Sequence, residues 1–122
     1  MAVLRNWGWV RVSGVSMTPT LHDGDRVLVH YDRRISAGAV VLGRFPGRVE
    51  SLVVKRAVRP VGQLWELASD NPRAGSDSRN HGPGEALALA VRLWPQAPSR
   101  GRIGWWRRLA GQAIPPAPPP GL

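Results

Sequence analysis

The chain of 122 residues contains no cysteine. A disulfide framework, a thiol nucleophile and a cysteine-ligated metal site are therefore excluded. The three histidines, His22, His30 and His81, do not show the spacing of a metal site either. The sequence consequently predicts a protein that needs no metal ion and no other cofactor.

Long apolar segments are also missing. The longest uncharged apolar run, residues 86–91, is much shorter than the roughly 20 residues of a membrane-spanning helix. The N-terminal residues lack the apolar centre of a secretion signal. From these features we expect a cytoplasmic protein.

Lysine is almost absent. Lys55 is the single lysine, whereas lysine and arginine together number 17. Coding bias would replace lysine wherever any positive charge suffices, but only an amine can lose its proton near neutral pH. In a strand, Lys55 shares one face with Val53 and Ala57. Burial on that face would lower the pKa of the amine and make it a usable base. A surface lysine at a strand edge is an equally good interpretation.

The net charge of +9 favours weak, nonspecific binding of polyanions. The arginines are scattered along the chain, and no helix-turn-helix, zinc-finger or aromatic RNA-binding pattern accompanies them. We therefore expect no specific nucleic-acid partner.

A turn at residues 13–21 presents a serine. Gly14 permits a positive φ or a close approach of the backbone, and Pro19 stiffens the bend. These features hold Ser16 at the rim of the turn. Such turns are common at protein surfaces, so Ser16 becomes a candidate nucleophile only in combination with Lys55.

A polar loop at residues 69–82 is rich in Asp, Asn, Ser and Gly. Asp70, Asn71 and Asp77 can cap turns through their side chains, and Asp77 can pair with Arg79 across the bend. By itself this composition predicts a structural loop.

Together the three segments resemble the signal peptidase I-like serine–lysine peptidases of the S24/S26 type. The nucleophile segment is Gly14-Val15-Ser16-Met17-Thr18-Pro19-Thr20-Leu21, and the base segment is Lys55-Arg56. Residues 69–82 resemble the family's Gly-Asp-Asn, Asp-Ser-Arg and Gly pattern. The resemblance implies that Ser16 is the nucleophile and that Lys55 is the general base.

The resemblance also implies supporting roles. The Ser16 N–H would be the main hydrogen-bond donor to the oxyanion, and Gly14, Met17 and Pro19 would form the turn around it. The residues implied to support the active site are Asp70, Asn71, Ser76, Asp77, Ser78 and Arg79. Two positions depart from the family pattern: Gly75 stands where the family has a serine that contacts the lysine, and Ser69 stands where it has its first glycine.

Within the family, the loop at residues 69–82 is most similar to that of the nickel-type superoxide dismutase maturation proteases. This similarity implies a precursor with an extended N-terminal leader, such as that of nickel superoxide dismutase, as the substrate. A generic signal peptidase-like enzyme and a self-cleaving repressor-type peptidase are alternatives on the same fold. A noncatalytic basic binding module is the alternative from another functional class.

The pattern of short strands predicts an all-β domain, a folded sheet or barrel, over residues 1–95. The strands are expected at residues 9–13, 26–31, 39–45, 49–58, 64–68 and 86–94. Residues 96–122 are expected to be a largely disordered tail because of their proline content. Trp105 and Trp106, next to arginines, are a candidate site for weak peripheral contact of this tail with an anionic membrane.

Overall fold

The computed structural model describes residues 6–48, 51–74, 78–96 and 111–119. In these ranges the chain forms six strands, β1 (Trp7–Arg11), β2 (Arg26–Tyr31), β3 (Val40–Arg44), β4 (Leu52–Val61), β5 (Leu64–Ala68) and β6 (Glu85–Trp94). A 3-10 turn at Pro46–Arg48 and a one-turn helix, α1 (Ser78–His81), complete the regular elements described. The predicted all-β fold is confirmed, and the observed bounds of β2 and β5 match those predicted.

All six strands belong to one antiparallel sheet in the order β1-β2-β6-β3-β4-β5. Three strands separate β1 from β4 in this order, yet residues of both line one cleft. The sheet is therefore strongly curved and brings its first strand close to its fifth. Within the described residues, no helix is long and apolar enough to span a membrane.

Two apolar clusters stabilise the curved sheet. The larger cluster joins β2, β3 and β6 with buried residues of the serine turn, including Met17 and Leu21. The smaller cluster consists of Val41, Phe45, Ala57 and Leu67. Since Met17 and Leu21 are 1% and 0% exposed, the turn that carries Ser16 is anchored in the core.

A β-bulge interrupts the hairpin formed by β4 and β5. Val61 pairs with Leu64 at the turn, but the register shifts between Ala57 and Arg59, so Val58 is the extra residue. Beyond the bulge, Arg56 pairs with Ala68. Continuing this register by one residue places Ser69, which directly follows β5, opposite Lys55. Bulges commonly redirect side chains next to active sites.

The described part of the C-terminal tail, residues 111–119, contacts the sheet. Gln112 and Leu93 exchange two backbone hydrogen bonds of 2.7 and 2.9 Å. Ile114 packs against the larger apolar cluster. Residues 97–110, including Trp105 and Trp106, lie outside the described part of the chain, so their disorder and membrane contact stay predictions.

Candidate active site

The serine turn holds Ser16 by its two flanks. Gly14 has a φ of +84°, a conformation that strongly favours glycine, and its N–H donates to Asp23 Oδ1 at 2.8 Å. On the other flank Met17 is buried in the core. The Thr18–Pro19 peptide bond is cis. Ser16 is left partly buried between these anchors, where its side chain borders a cleft.

Lys55 lies on β4, next to Val41 of β3, and only 4% of its surface is exposed. It is buried, as the apolar face of the strand predicts, rather than at the surface. Its Nζ donates a hydrogen bond of 2.8 Å to Ser69 Oγ. Removal from water disfavours the charged form of an amine, whereas the hydroxyl acceptor stabilises that form.

Ser16 and Lys55 border the same cleft, which has a volume of about 380 Å³. One wall consists of residues 9–13, which include part of β1, and the other consists of residues 52–55 of β4. Two of its residues, Trp9 and Leu52, are exposed apolar side chains at 60% and 56%. The cleft therefore combines a nucleophile, a buried amine and an apolar rim.

Asp70 links the base strand to the serine turn. Its carboxylate pairs with Arg56, which is the neighbour of Lys55, at 2.6 Å between Nη2 and Oδ2. Thr20 Oγ1, in the serine turn, donates a short hydrogen bond to the same carboxylate. Arg56 also donates to the carbonyl of Gly38 at 2.9 Å. This network fixes the relative position of the two chain segments that carry Ser16 and Lys55.

Asn71 makes a second link to the serine turn. Its backbone N–H donates to the carbonyl of Ser16 at 2.9 Å. Its side-chain Nδ2 donates to the carbonyl of Val15 at 3.0 Å and to Thr18 Oγ1 at 3.1 Å. The polar loop thus braces the turn on both sides of Ser16.

The side chains of the rest of the predicted supporting set are not described. Residues 75–77, which include Ser76 and Asp77, are not described, and of Ser78 and Arg79 only the backbone is described, in α1. The Asp77–Arg79 pairing stays a prediction. Among the described residues no group of three His, Cys, Asp or Glu side chains could hold a metal ion.

Sequence reasoning missed three residues of this site. Ser69, Arg56 and Thr20 all have polar contacts that organise it, but none was assigned a role. Arg56 and Thr20 are members of the base segment and the nucleophile segment, respectively. The signal for Ser69 was its place at the end of β5, which becomes informative only once the pairing with β4 is known.

Comparison with known proteins agrees with this geometry. The profile of the Peptidase S24-like family matches residues 3–82, which include the serine turn, β4 and the polar loop. The mitochondrial inner membrane protease subunit 1 of Schizosaccharomyces pombe (strain 972 / ATCC 24843) is 32% identical over 112 aligned positions, covering 68% of this chain and 71% of that protein. The chain therefore belongs to the Peptidase S24-like family and is a signal peptidase-like serine peptidase by relationship.

Proposed function

We propose that this protein is a serine endopeptidase that uses Ser16 and Lys55 to remove an N-terminal leader from a precursor protein. The observation that carries the proposal is a buried lysine and a partly buried serine in the wall of one cleft. A serine and an adjacent base are the requirements for nucleophilic acyl transfer, and a neutral lysine amine can be that base.

The proposed reaction has two acyl-transfer steps. Ser16 Oγ attacks the scissile carbonyl carbon while its proton passes to Lys55 Nζ. The resulting ammonium then protonates the leaving amine, which breaks the C–N bond and leaves an acyl-enzyme. Lys55 next takes a proton from water, whose oxygen attacks the ester carbonyl. Return of the proton to Ser16 Oγ releases the acid and restores the enzyme.

Stabilisation of the oxyanion is assigned to backbone amides of the serine turn. The N–H of Gly14 already donates a hydrogen bond to Asp23 Oδ1. Among the described residues, no backbone carbonyl accepts a hydrogen bond from the Ser16 N–H. This amide can therefore donate to the negatively charged oxygen of the tetrahedral intermediate.

An extended leader suits the cleft because both walls offer strand edges. β1 is at one end of the sheet order and pairs with β2 alone. Residues 52–55 of β4 pair with β3, whereas β5 pairs with β4 only from Arg56 onward. Within the described chain, no strand pairs with the outer edge of β1 or with the second edge of residues 52–54 in β4. A leader could add as a strand there, with its apolar side chains against Trp9 and Leu52.

For the substrate we propose the precursor of nickel superoxide dismutase, met in the cytoplasm. The support for this choice is the similarity of the polar loop, and the location is a prediction from the sequence. The name of the Schizosaccharomyces pombe relative places that protein at a membrane, which favours a generic leader peptidase as the second candidate.

The test mixes purified protein with the dismutase precursor and with a secretory preprotein, and analyses the products by intact mass. We expect one cut in the dismutase precursor, at the leader junction, and none by Ser16→Ala. Lys55→Arg should also be inactive because arginine stays charged. Cleavage of the secretory preprotein alone would assign the generic activity, and a cut in the enzyme itself would assign self-cleavage. Absence of all three would leave the noncatalytic binding module.

A further inference from the structure

Ser69 directly follows β5, the strand next to the one that carries Lys55, and it is not part of the proposed dyad. Its hydroxyl oxygen accepts a hydrogen bond of 2.8 Å from Lys55 Nζ. We propose that Ser69 is a positioning residue that aims the amine of Lys55 at Ser16. This inference rests on the proposed function, because the direction of the amine matters only if Lys55 accepts a proton.

The geometry of a neutral amine explains the need for a positioning group. A neutral Nζ has two hydrogens and one lone pair, and rotation about the Cε–Nζ bond interchanges their directions. A hydrogen bond from one N–H to Ser69 Oγ restricts this rotation. The lone pair then has fewer directions available, which favours proton transfer from a correctly placed hydroxyl.

Ser69 is itself held in place by its neighbour. Asp70 forms an ion pair with Arg56, the residue after Lys55, and the two side chains are only 5% and 9% exposed. Side chains therefore link Lys55 to Ser69 and, at the next position of each segment, Arg56 to Asp70. The bulge at Val58 sets this register. The hydroxyl of Ser69 is consequently carried by the residue that precedes this buried ion pair's carboxylate.

The first experiment measures kcat and KM with the precursor that the protein is found to cleave. Ser69→Ala is expected to lower kcat by about 10- to 100-fold, the range for losing one hydrogen bond to a group that becomes charged, with KM little changed. Ser69→Thr keeps a hydroxyl and should recover most of the activity. Ser36→Ala, at an exposed serine away from the cleft, is the matched control and should equal the parent.

A second readout depends on protonation alone. The hydroxyl oxygen accepts from the ammonium form and stabilises it, so its removal should lower the pKa of Lys55 relative to the parent. Because Lys55 is the single lysine of the chain, protein labelled with ¹³C-lysine gives one side-chain ε signal whose pH titration can be followed directly. We expect the midpoint to move to lower pH in Ser69→Ala and to stay near that of the parent in Ser36→Ala.

The two readouts separate the inference from the proposed function. Equal kcat and an equal lysine titration in Ser69→Ala and the parent would overturn the role of Ser69 while the peptidase stands. If the parent cleaves nothing, the proposed function fails, and with it the positioning role, although a shifted titration would still establish the hydrogen bond. Should Ser69→Ala not fold, Ser69→Gly removes the same hydroxyl and takes its place in both measurements.

Discussion

Arg56 Nη2 lies 2.6 Å from Asp70 Oδ2, in an ion pair whose side chains are 9% and 5% exposed. Each partner is adjacent in sequence to a residue of the site, because Arg56 follows Lys55 and Asp70 follows Ser69. The same carboxylate accepts a hydrogen bond from Thr20 in the serine turn. One buried carboxylate therefore connects the segments that carry the base and the nucleophile.

Loss of this carboxylate should destabilise the folded protein. Asp70→Ala leaves the guanidinium of Arg56 buried without its partner, so we expect a loss of about 3–5 kcal/mol in the free energy of unfolding. Glu66→Ala is the matched control, since Glu66 pairs with Arg59 at 3.0 Å but the side chains are 35% and 70% exposed. That change should cost at most about 1 kcal/mol. Urea unfolding measures both, and equal losses would contradict a structural role for the buried pair.

The hydrogen bonds of the Asn71 side chain provide a prediction about the nucleophile. Asn71→Ala removes donors to the carbonyl of Val15 and to Thr18 Oγ1, on either side of Ser16. We expect the free energy of unfolding to fall by about 1–2 kcal/mol. The activation free energy should rise by more than this amount, which lowers kcat, because the turn can then move. Gln63→Ala, in the exposed turn between β4 and β5, should change neither by much. Unchanged kcat in Asn71→Ala would show that the turn needs no support from this side chain.

The substitution Gly14→Ala tests the conformation of the serine turn. At a φ of +84° an added Cβ meets no other atom within 4 Å, so the cost of Gly14→Ala is backbone strain and not a clash. We expect about 1–2 kcal/mol of destabilisation and reduced kcat as the turn relaxes. Gly47→Ala is the control, since Gly47 has ordinary φ and open space. Equal melting temperatures of the two variants would argue against a strained turn.

The sequence predicted all six strands in order because alternation and turn residues mark short strands well. It placed the end of β4 too early, at Val58, whereas the strand continues to Val61. Pro60 is tolerated there because the strand is close to its end, in a hairpin whose pairing is already irregular. Periodicity alone cannot locate such an irregularity.

The role of Ser69 was hidden for the same reason. A regular hairpin that starts from the Val61–Leu64 pair would place Asp70 opposite Lys55, whereas the bulge at Val58 places Ser69 there. A bulge has no distinctive sequence signal at Val58, so the hydroxyl that contacts the amine could not be identified in advance. The serine turn and Lys55 were easier to recognise because their chemistry is local.

The C-terminal segment was expected to be disordered from its composition, but its described part makes specific contacts. Gly111 has a φ of +75° and lies against the Trp94 ring, where an added Cβ would be 2.6 Å from a ring carbon. Gln112 pairs with Leu93, and Ile114 covers the larger apolar cluster. Residues 117–119 form part of the wall of a cavity of about 780 Å³, together with Pro19 and Ser69.

Truncation after Gln96 should therefore lower the free energy of unfolding, by about 1–3 kcal/mol. This range combines the lost backbone hydrogen bonds and the partial burial of Ile114, and is reduced by the entropy that the segment regains. Gly111→Ala should cause a similar loss in the full chain through strain and contact with the Trp94 ring, whereas Gly47→Ala should not. Because residues 117–119 line a cavity together with Ser69, truncation should also raise KM for the precursor. A truncated protein with the stability and KM of the full chain would show that the peptidase domain ends near residue 95.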